Sequence, residues 1–111
     1  MKVAIIGSRN IHIPADELQK YLPEGTTEIV SGGAMGVDRS ARDYAREHGL
    51  KLTEFLPDYK EHSRRAPLVR NIQIIRYSDM VLAFWDGKSN GTRYVICNCE
   101  ELGTPVQVVM R

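Results

Sequence analysis

The sequence predicts a three-layer α/β fold, a five-stranded parallel sheet of order 3-2-1-4-5 with helices on both faces. Three observations predict it: continuous apolar runs of strand length recur along the chain, segments of helical period separate them, and polar, glycine-rich turns follow three of the runs. Runs that do not alternate belong to strands buried on both faces. Strands joined by helices pair in parallel through right-handed crossovers.

The elements follow in order. Residues 3–7, Val-Ala-Ile-Ile-Gly, form the first strand. Pro14 opens a short amphipathic helix, with Asp16 and Glu17 in its first turn and Leu18, Tyr21 and Leu22 turned inward, and Pro23-Glu24-Gly25 ends it. Residues 27–31 make the second strand. From Val37 to His48 the helical period places Val37, Ala41, Tyr44, Ala45 and His48 on one face and the charged residues on the other, with Gly49 as a left-handed cap. Residues 50–56 read as a weaker third strand at an edge, and residues 57–66, without clear period, as a loop. Pro67 suits a first helical turn, after which Leu68, Val69, Ile72 and Ile75 form an apolar stripe. Residues 80–85 are the fourth strand. Thr92, Val95, Ile96, Cys99 and Leu102 form the last helical stripe, capped by Gly103, and residues 106–110 are the fifth strand. No repeat or linker interrupts the pattern, so residues 1–111 are expected to form one domain.

The chemistry collects at one end of this sheet. Gly7-Ser8-Arg9 follows the first strand, residues 31–38 follow the second, and residues 86–92 follow the fourth. With the first and fourth strands as neighbours, the chain reverses direction between them and opens a crevice beside these turns. In Ser31-Gly32-Gly33-Ala34-Met35-Gly36-Val37-Asp38, glycines let backbone N–H groups approach an anion, and the following helix N-terminus adds partial positive charge. Asp38 is placed to cap that helix or to accept a sugar hydroxyl. The run Asp86-Gly87-Lys88-Ser89-Asn90-Gly91-Thr92 is a second cradle, with Ser89 or Asn90 at the cap and Gly91-Thr92 open to a phosphate. It is not a Walker A loop, because the first glycine of that motif would fall on Leu82. Arg9 is a candidate phosphate fork. Lys60, Arg64, Arg65, Arg70 and Arg76 make a basic stretch, and Tyr59 and Trp85 are candidates for stacking on a base.

Composition narrows the function classes. Fifteen basic residues against fourteen acidic ones leave a formal charge of +1, unlike a dedicated duplex-DNA binder. Cys97 and Cys99 cannot complete a zinc site, and His12, His48 and His62 have no nucleophile at triad-like placement. No metal or cofactor is expected. The chain has neither a signal peptide nor a run of about 18 apolar residues, so a cytoplasmic protein with no membrane contact is expected.

Taken in order, Gly7-Ser8-Arg9, the Ser31–Ala41 element, Arg70-Asn71 and Gly91-Thr92 resemble the SLOG superfamily. This groups the Rossmann domain of DNA-processing protein A (Smf), the lonely-guy cytokinin-activating enzymes and short YspA/YpsA-like proteins. The resemblance implies a five-stranded Rossmann-like fold, a nucleotide or nucleotide-sugar site and a tendency to self-associate as a homo-oligomer. Its matching positions are Gly7, Ser8, Arg9, Ser31, Gly32, Gly33, Gly36, Asp38, Arg70, Asn71, Gly91 and Thr92. Lonely-guy enzymes carry Pro-Gly-Gly-x-Gly-Thr-x-x-Glu, whose glutamate assists cleavage of the base–ribose bond. Here that position holds Val95, whereas Arg70 matches the arginine beside the phosphate.

Three functional expectations follow. The first is binding, for sensing or processing, of a phosphate-bearing ligand such as a nucleotide, ADP-ribose or a nucleotide sugar. Gly7, Ser8, Arg9, Ser31, Gly32, Gly33, Gly36, Asp38, Arg70, Asn71, Asp86, Ser89, Asn90, Gly91 and Thr92 would hold it. The second is N-glycosidic hydrolysis of a nucleoside monophosphate, with Asp38 or Asp86 as acid/base and Arg70 on the phosphate. The third is binding of single-stranded nucleic acid through Arg9 and the basic segment around Arg64.

Overall fold

Five parallel strands form one sheet in the computed structural model, which describes residues 1–33 and 37–111. They are β1 (Lys2–Gly7), β2 (Glu28–Ser31), β3 (Lys51–Glu54), β4 (Met80–Trp85) and β5 (Val106–Met110), in the order β3-β2-β1-β4-β5. The predicted architecture is the observed one. β1 sits at the centre, with Val3 beside Ile29 of β2 and Met80 of β4, and Gly7 beside Phe84.

The helices are α1 (Ala15–Leu18), α2 (Val37–Glu47), α3 (Tyr59–His62), α4 (Ala66–Tyr77) and α5 (Asn90–Leu102). Successive side chains of β1, β2 and β4 enter two different cores. Ile5, Ile29, Leu82 and Phe84 pack with Leu18, Val37, Ala41 and Tyr44 of α1 and α2. Ala4, Ile6, Val30, Val81 and Ala83 pack on the other side with Ile74, Ile75, Val95 and Cys99 of α4 and α5. Such burial on both faces is what the unbroken apolar runs of β1 and β4 require.

The structure corrects the sequence reading in four places. The helix after Pro14 is one turn long, and residues 19–21 continue only as turns, Tyr21 N–H donating to the Leu18 carbonyl (3.0 Å). Residues 57–66 are not a loop. Asp58 caps α3 by accepting from Glu61 N–H (3.2 Å), and a 3₁₀ turn over Ser63–Arg65 leads into α4. His48 lies outside the core, stacked on the Tyr44 ring at 4.0 Å. In α4 the buried residues are Ala66, Ile74 and Ile75, while Leu68 is exposed and Val69 and Ile72 are half-buried. That helix carries more apolar residues than its inner face can hold, so part of the predicted stripe faces outward.

Away from the glycine turns, the amino end of the sheet holds a buried polar knot. Glu28 Oε2 accepts from Tyr77 OH (2.5 Å) and Thr53 Oγ1 (2.7 Å), and Lys51 Nζ lies 3.8 Å from Oε1. The Tyr77 hydroxyl, more than any other neighbour, holds the Glu28 carboxyl below its ordinary 4.5 despite burial. A carboxyl lowered in this way stabilises the fold above its unfolded-state value, and that contribution is lost as pH falls through the folded-state value. Tyr77→Phe is therefore expected to cost about 1–2 kcal/mol near neutral pH. The gap to wild type should narrow in urea melts below about pH 4. An equal gap at both ends of that range would place the cost elsewhere.

Candidate functional site

The cleft begins with a close approach. Gly7 ends β1 where α2 and β4 crowd it, and a Cβ there would lie 2.6 Å from Val37 Cγ2 and 3.0 Å from the Phe84 carbonyl oxygen. Ser8 N–H donates to that same carbonyl (3.1 Å), and Ile11 N–H donates to the Ser8 carbonyl (3.1 Å). This tight turn leaves Ser8 buried and presents Arg9 to solvent at the cleft. At the end of β2, Ser31 Oγ accepts from Gly33 N–H (3.1 Å), and Gly33 takes φ +71°, which favours glycine.

Arg70 is the centre of the site. It projects from α4, donating from Nη1 to the Gly32 carbonyl (2.9 Å) and from Nε to Asn71 Oδ1 (2.8 Å). A Cβ on residue 32 would fall 2.7 Å from Arg70 Nη1 and 3.3 Å from Asp38 Oδ2, so only glycine leaves room for this packing. Burial pushes the Arg70 pKa down from its ordinary value; Asp38 and Tyr59 oppose this and Arg9 adds to it. The guanidinium stays charged at neutral pH. Two like charges, Arg9 and Arg70, thus face one space.

The third wall is the N-terminus of α5. Ser89 occupies the cap position but makes no side-chain cap bond, and its carbonyl accepts from Trp85 Nε1 (3.0 Å). Asp86 Oδ1 accepts from Lys88 N–H (2.9 Å) and Ser89 N–H (2.8 Å), which shapes the preceding turn. These backbone donors, Ser89 first, hold the Asp86 carboxyl below its ordinary value. Ser8 Oγ lies close enough to contribute to that lowering yet outside hydrogen-bonding geometry, and it has no hydrogen-bond partner among the described residues.

The result is an open cleft of about 210 Å³. Of the residues named from sequence, Gly7, Arg9, Gly32, Asp38, Arg70, Asn71, Ser89, Gly91 and Thr92 line it. Ser8, Ser31, Gly33, Asp86 and Asn90 do not: the first four shape the turns behind it, and Asn90 opens α5 toward solvent. Gly36 lies outside the described residues. Sequence reasoning missed the apolar floor of Ile6, Ile74 and Val95 and the wall of Pro67 and Leu68. In sequence, Ile6, Pro67, Leu68 and Val95 looked like strand or helix positions only. Trp85 stands apart from the cleft, with Arg93 5.5 Å from its ring centre. No group of three or more His, Cys, Asp or Glu side chains among the described residues can hold a metal ion. No helix of the described residues is long and apolar enough to cross a membrane.

Residues 1–62 match the family model described as "YAcAr: YspA, cpYpsA-related SLOG family". The chain belongs to this SLOG family. It is also 38% identical over 98 residues to the Gene 61 protein of Mycobacterium phage D29, covering 83% of this chain and 77% of that protein. DNA processing protein A from Helicobacter pylori, whose structure was described for its single-stranded DNA binding mode, superposes with a TM-score of 0.74 at 26% identity. That match takes in all of this chain and 66% of the other. The X-ray structure of TM1055 shares the fold, with a TM-score of 0.71 at 23% identity over 95% of this chain and 71% of its own.

Within the SLOG chain, Gly91 has no structural need to be glycine. It lies in the first turn of α5, a Cβ there would touch nothing within 4 Å, and it lines the cleft. Glycine in a helix is otherwise unfavourable. Gly91→Ala is expected to stabilise the protein by about 0.5 kcal/mol, and a ligand seated against this backbone would then be held more weakly, two opposite signs read by thermal melts and calorimetry. A variant that binds as wild type would show that no ligand approaches this backbone.

Proposed function

We propose that the cleft binds a phosphate-bearing, nucleotide-derived ligand such as a nucleotide, ADP-ribose or a nucleotide sugar. The observation that carries this reading is the convergence of Arg9 and Arg70 on one space beside the uncapped N-terminus of α5. Asp38 offsets part of the Arg70 charge, but two guanidinium groups in one cleft still favour an anion between them, and a helix N-terminus favours the same sign of charge. Asp38, whose carboxylate lies beside Arg70, suits sugar hydroxyls. The apolar floor of Ile6, Ile74 and Val95 suits the less polar face of the ligand.

The same geometry favours binding over turnover. Val95 is 2% exposed and brings no acid or base to the floor. Asp86 is committed to its turn, which leaves Asp38 as the carboxylate lining the cleft. Losing a positioned acid or base costs roughly 10²–10⁴-fold in rate. Isothermal calorimetry against AMP, ADP-ribose and UDP-glucose tests the binding reading: a Kd tighter than about 1 mM is expected for at least one, and no heat across the panel discards it. Chromatography of the same samples reads turnover. Release of free base that disappears in Asp38→Asn would establish hydrolysis.

A second reading is supported by the 26% identity with DNA processing protein A, described as binding single-stranded DNA. Arg64 and Arg65, in the 3₁₀ turn before α4, and Arg76, near the end of α4, lie exposed. A strand held there would bind with strong salt dependence. Affinity that does not change with salt rules it out.

A further inference from the structure

A second cavity of about 280 Å³ lies on the far side of α4, and no part of the cleft reading uses it. It is lined by Arg65 of the 3₁₀ turn, by Leu68, Val69, Ile72 and Arg76 of α4 and by Tyr94 of α5, with Gln73 beside them. Leu68 is 38% exposed and borders both cavities, so the two spaces meet across one side chain. The spacing 65, 68/69, 72, 76 is the helical repeat that puts these side chains on one stripe. Of its apolar members Leu68 is exposed and Val69 and Ile72 are half-buried, Ile72 packing partly against the second core.

The lining has a distinct chemistry. Arg65 and Arg76 are exposed and form no salt bridge among the described residues. Between them lie a half-buried phenol ring, a carboxamide and three aliphatic side chains. A purely apolar partner would leave two cations desolvated, at high cost. A flat aromatic base carrying a phosphate satisfies both parts: it stacks on Tyr94 and the aliphatic surface while the guanidinium groups hold the anion. Because the two cavities share Leu68, a second nucleotide unit joined to the first through phosphate would pass over that side chain into this groove.

We propose that this groove is a second nucleotide subsite, so that the ligand is two nucleotide units joined through phosphate, the first in the cleft and the second over Leu68 against Tyr94, Arg65 and Arg76. The inference rests on the cleft reading for its first unit only. The same chemistry occurs in a small dinucleotide and in a single strand of nucleic acid, and the probes separate them.

Calorimetry with AMP, with the 5′-phosphorylated dinucleotide pApA and with an oligo(dA) hexamer is the test. pApA is expected to bind at least about 10-fold tighter than AMP, the gain of one stacked base. The double variant Arg65→Ala/Arg76→Ala and the single variant Tyr94→Leu should each erase that gain and leave AMP affinity unchanged. A hexamer tighter again than pApA identifies a strand as the ligand; equal affinity identifies a dinucleotide. Either supports the subsite. If AMP binds and pApA binds no tighter, the groove proposal is overturned and the cleft reading stands. If AMP does not bind, the first unit is not an adenylate, and pApA binding that the variants do not weaken overturns the groove. Sedimentation showing a dimer that Leu68→Glu dissociates, with no pApA gain, would assign the groove to a second copy and likewise overturn it.

Discussion

Arg70→Ala is expected to weaken ligand binding in the cleft by about 100-fold, the loss of one or two charge-assisted hydrogen bonds. The fold should survive, because Arg70 is only half-buried and its neighbours on α4 that fill the core are Ile74 and Ile75. The variant leaves the Gly32 carbonyl without its donor, a cost of about 1 kcal/mol. Arg70→Lys keeps the charge but loses the fork that reaches Gly32 and Asn71 together. Its affinity should fall between the two. Calorimetry at fixed salt, with circular dichroism to confirm folding, reads both effects. Wild-type affinity in a folded Arg70→Ala protein would remove the arginine from the site.

The largest stability loss outside the large core side chains is expected at Gly7. A methyl group there meets Val37 at 2.6 Å and a β4 carbonyl at 3.0 Å, and that carbonyl is already held by Ser8 N–H. Neither β4, in the middle of the sheet, nor the start of α2 can retreat without disturbing Phe84. Overpacking of this kind costs about 2–3 kcal/mol. For a domain of this length that corresponds to a fall in Tm of roughly 10–20 °C. Urea denaturation of Gly7→Ala checks it. A midpoint equal to that of wild type would mean that the three elements have slack at this junction.

The architecture was legible because β1 and β4 are written as unbroken apolar runs, which only a strand covered on both faces requires. Gly49 and Gly103, both at positive φ, ended their helices as read. The illegible parts have physical causes. α3 is one turn, too short to show a period, and depends on the single cap from Asp58. α4 misled because Leu68 and Val69 belong to a groove rather than to the core, with Ile72 at the border of the two, and hydrophobicity alone does not say which partner an apolar side chain faces.

The site was half legible for a related reason. Glycines and arginines announce close approach and anion contact, so Gly7, Gly32, Arg9 and Arg70 could be named. The hydroxyls of Ser8 and Ser31 look like ligand contacts in a sequence, but that of Ser31 serves its turn and that of Ser8 lies buried behind the cleft. The floor residues Ile6 and Val95 carry no chemical signal of their own. What brings them together is the crossing of strands and helices far apart in the chain.

That crossing has a thermodynamic consequence. The cleft draws Arg9 and Gly32 from the first third of the chain, Arg70 from its middle and Gly91 and Thr92 from the last third, so it has no counterpart once the chain unfolds. A compound occupying it acts as a clamp between distant segments. Saturation at 100 times Kd raises unfolding free energy by about 2.7 kcal/mol, enough to slow proteolysis throughout the molecule and not merely at the rim it touches.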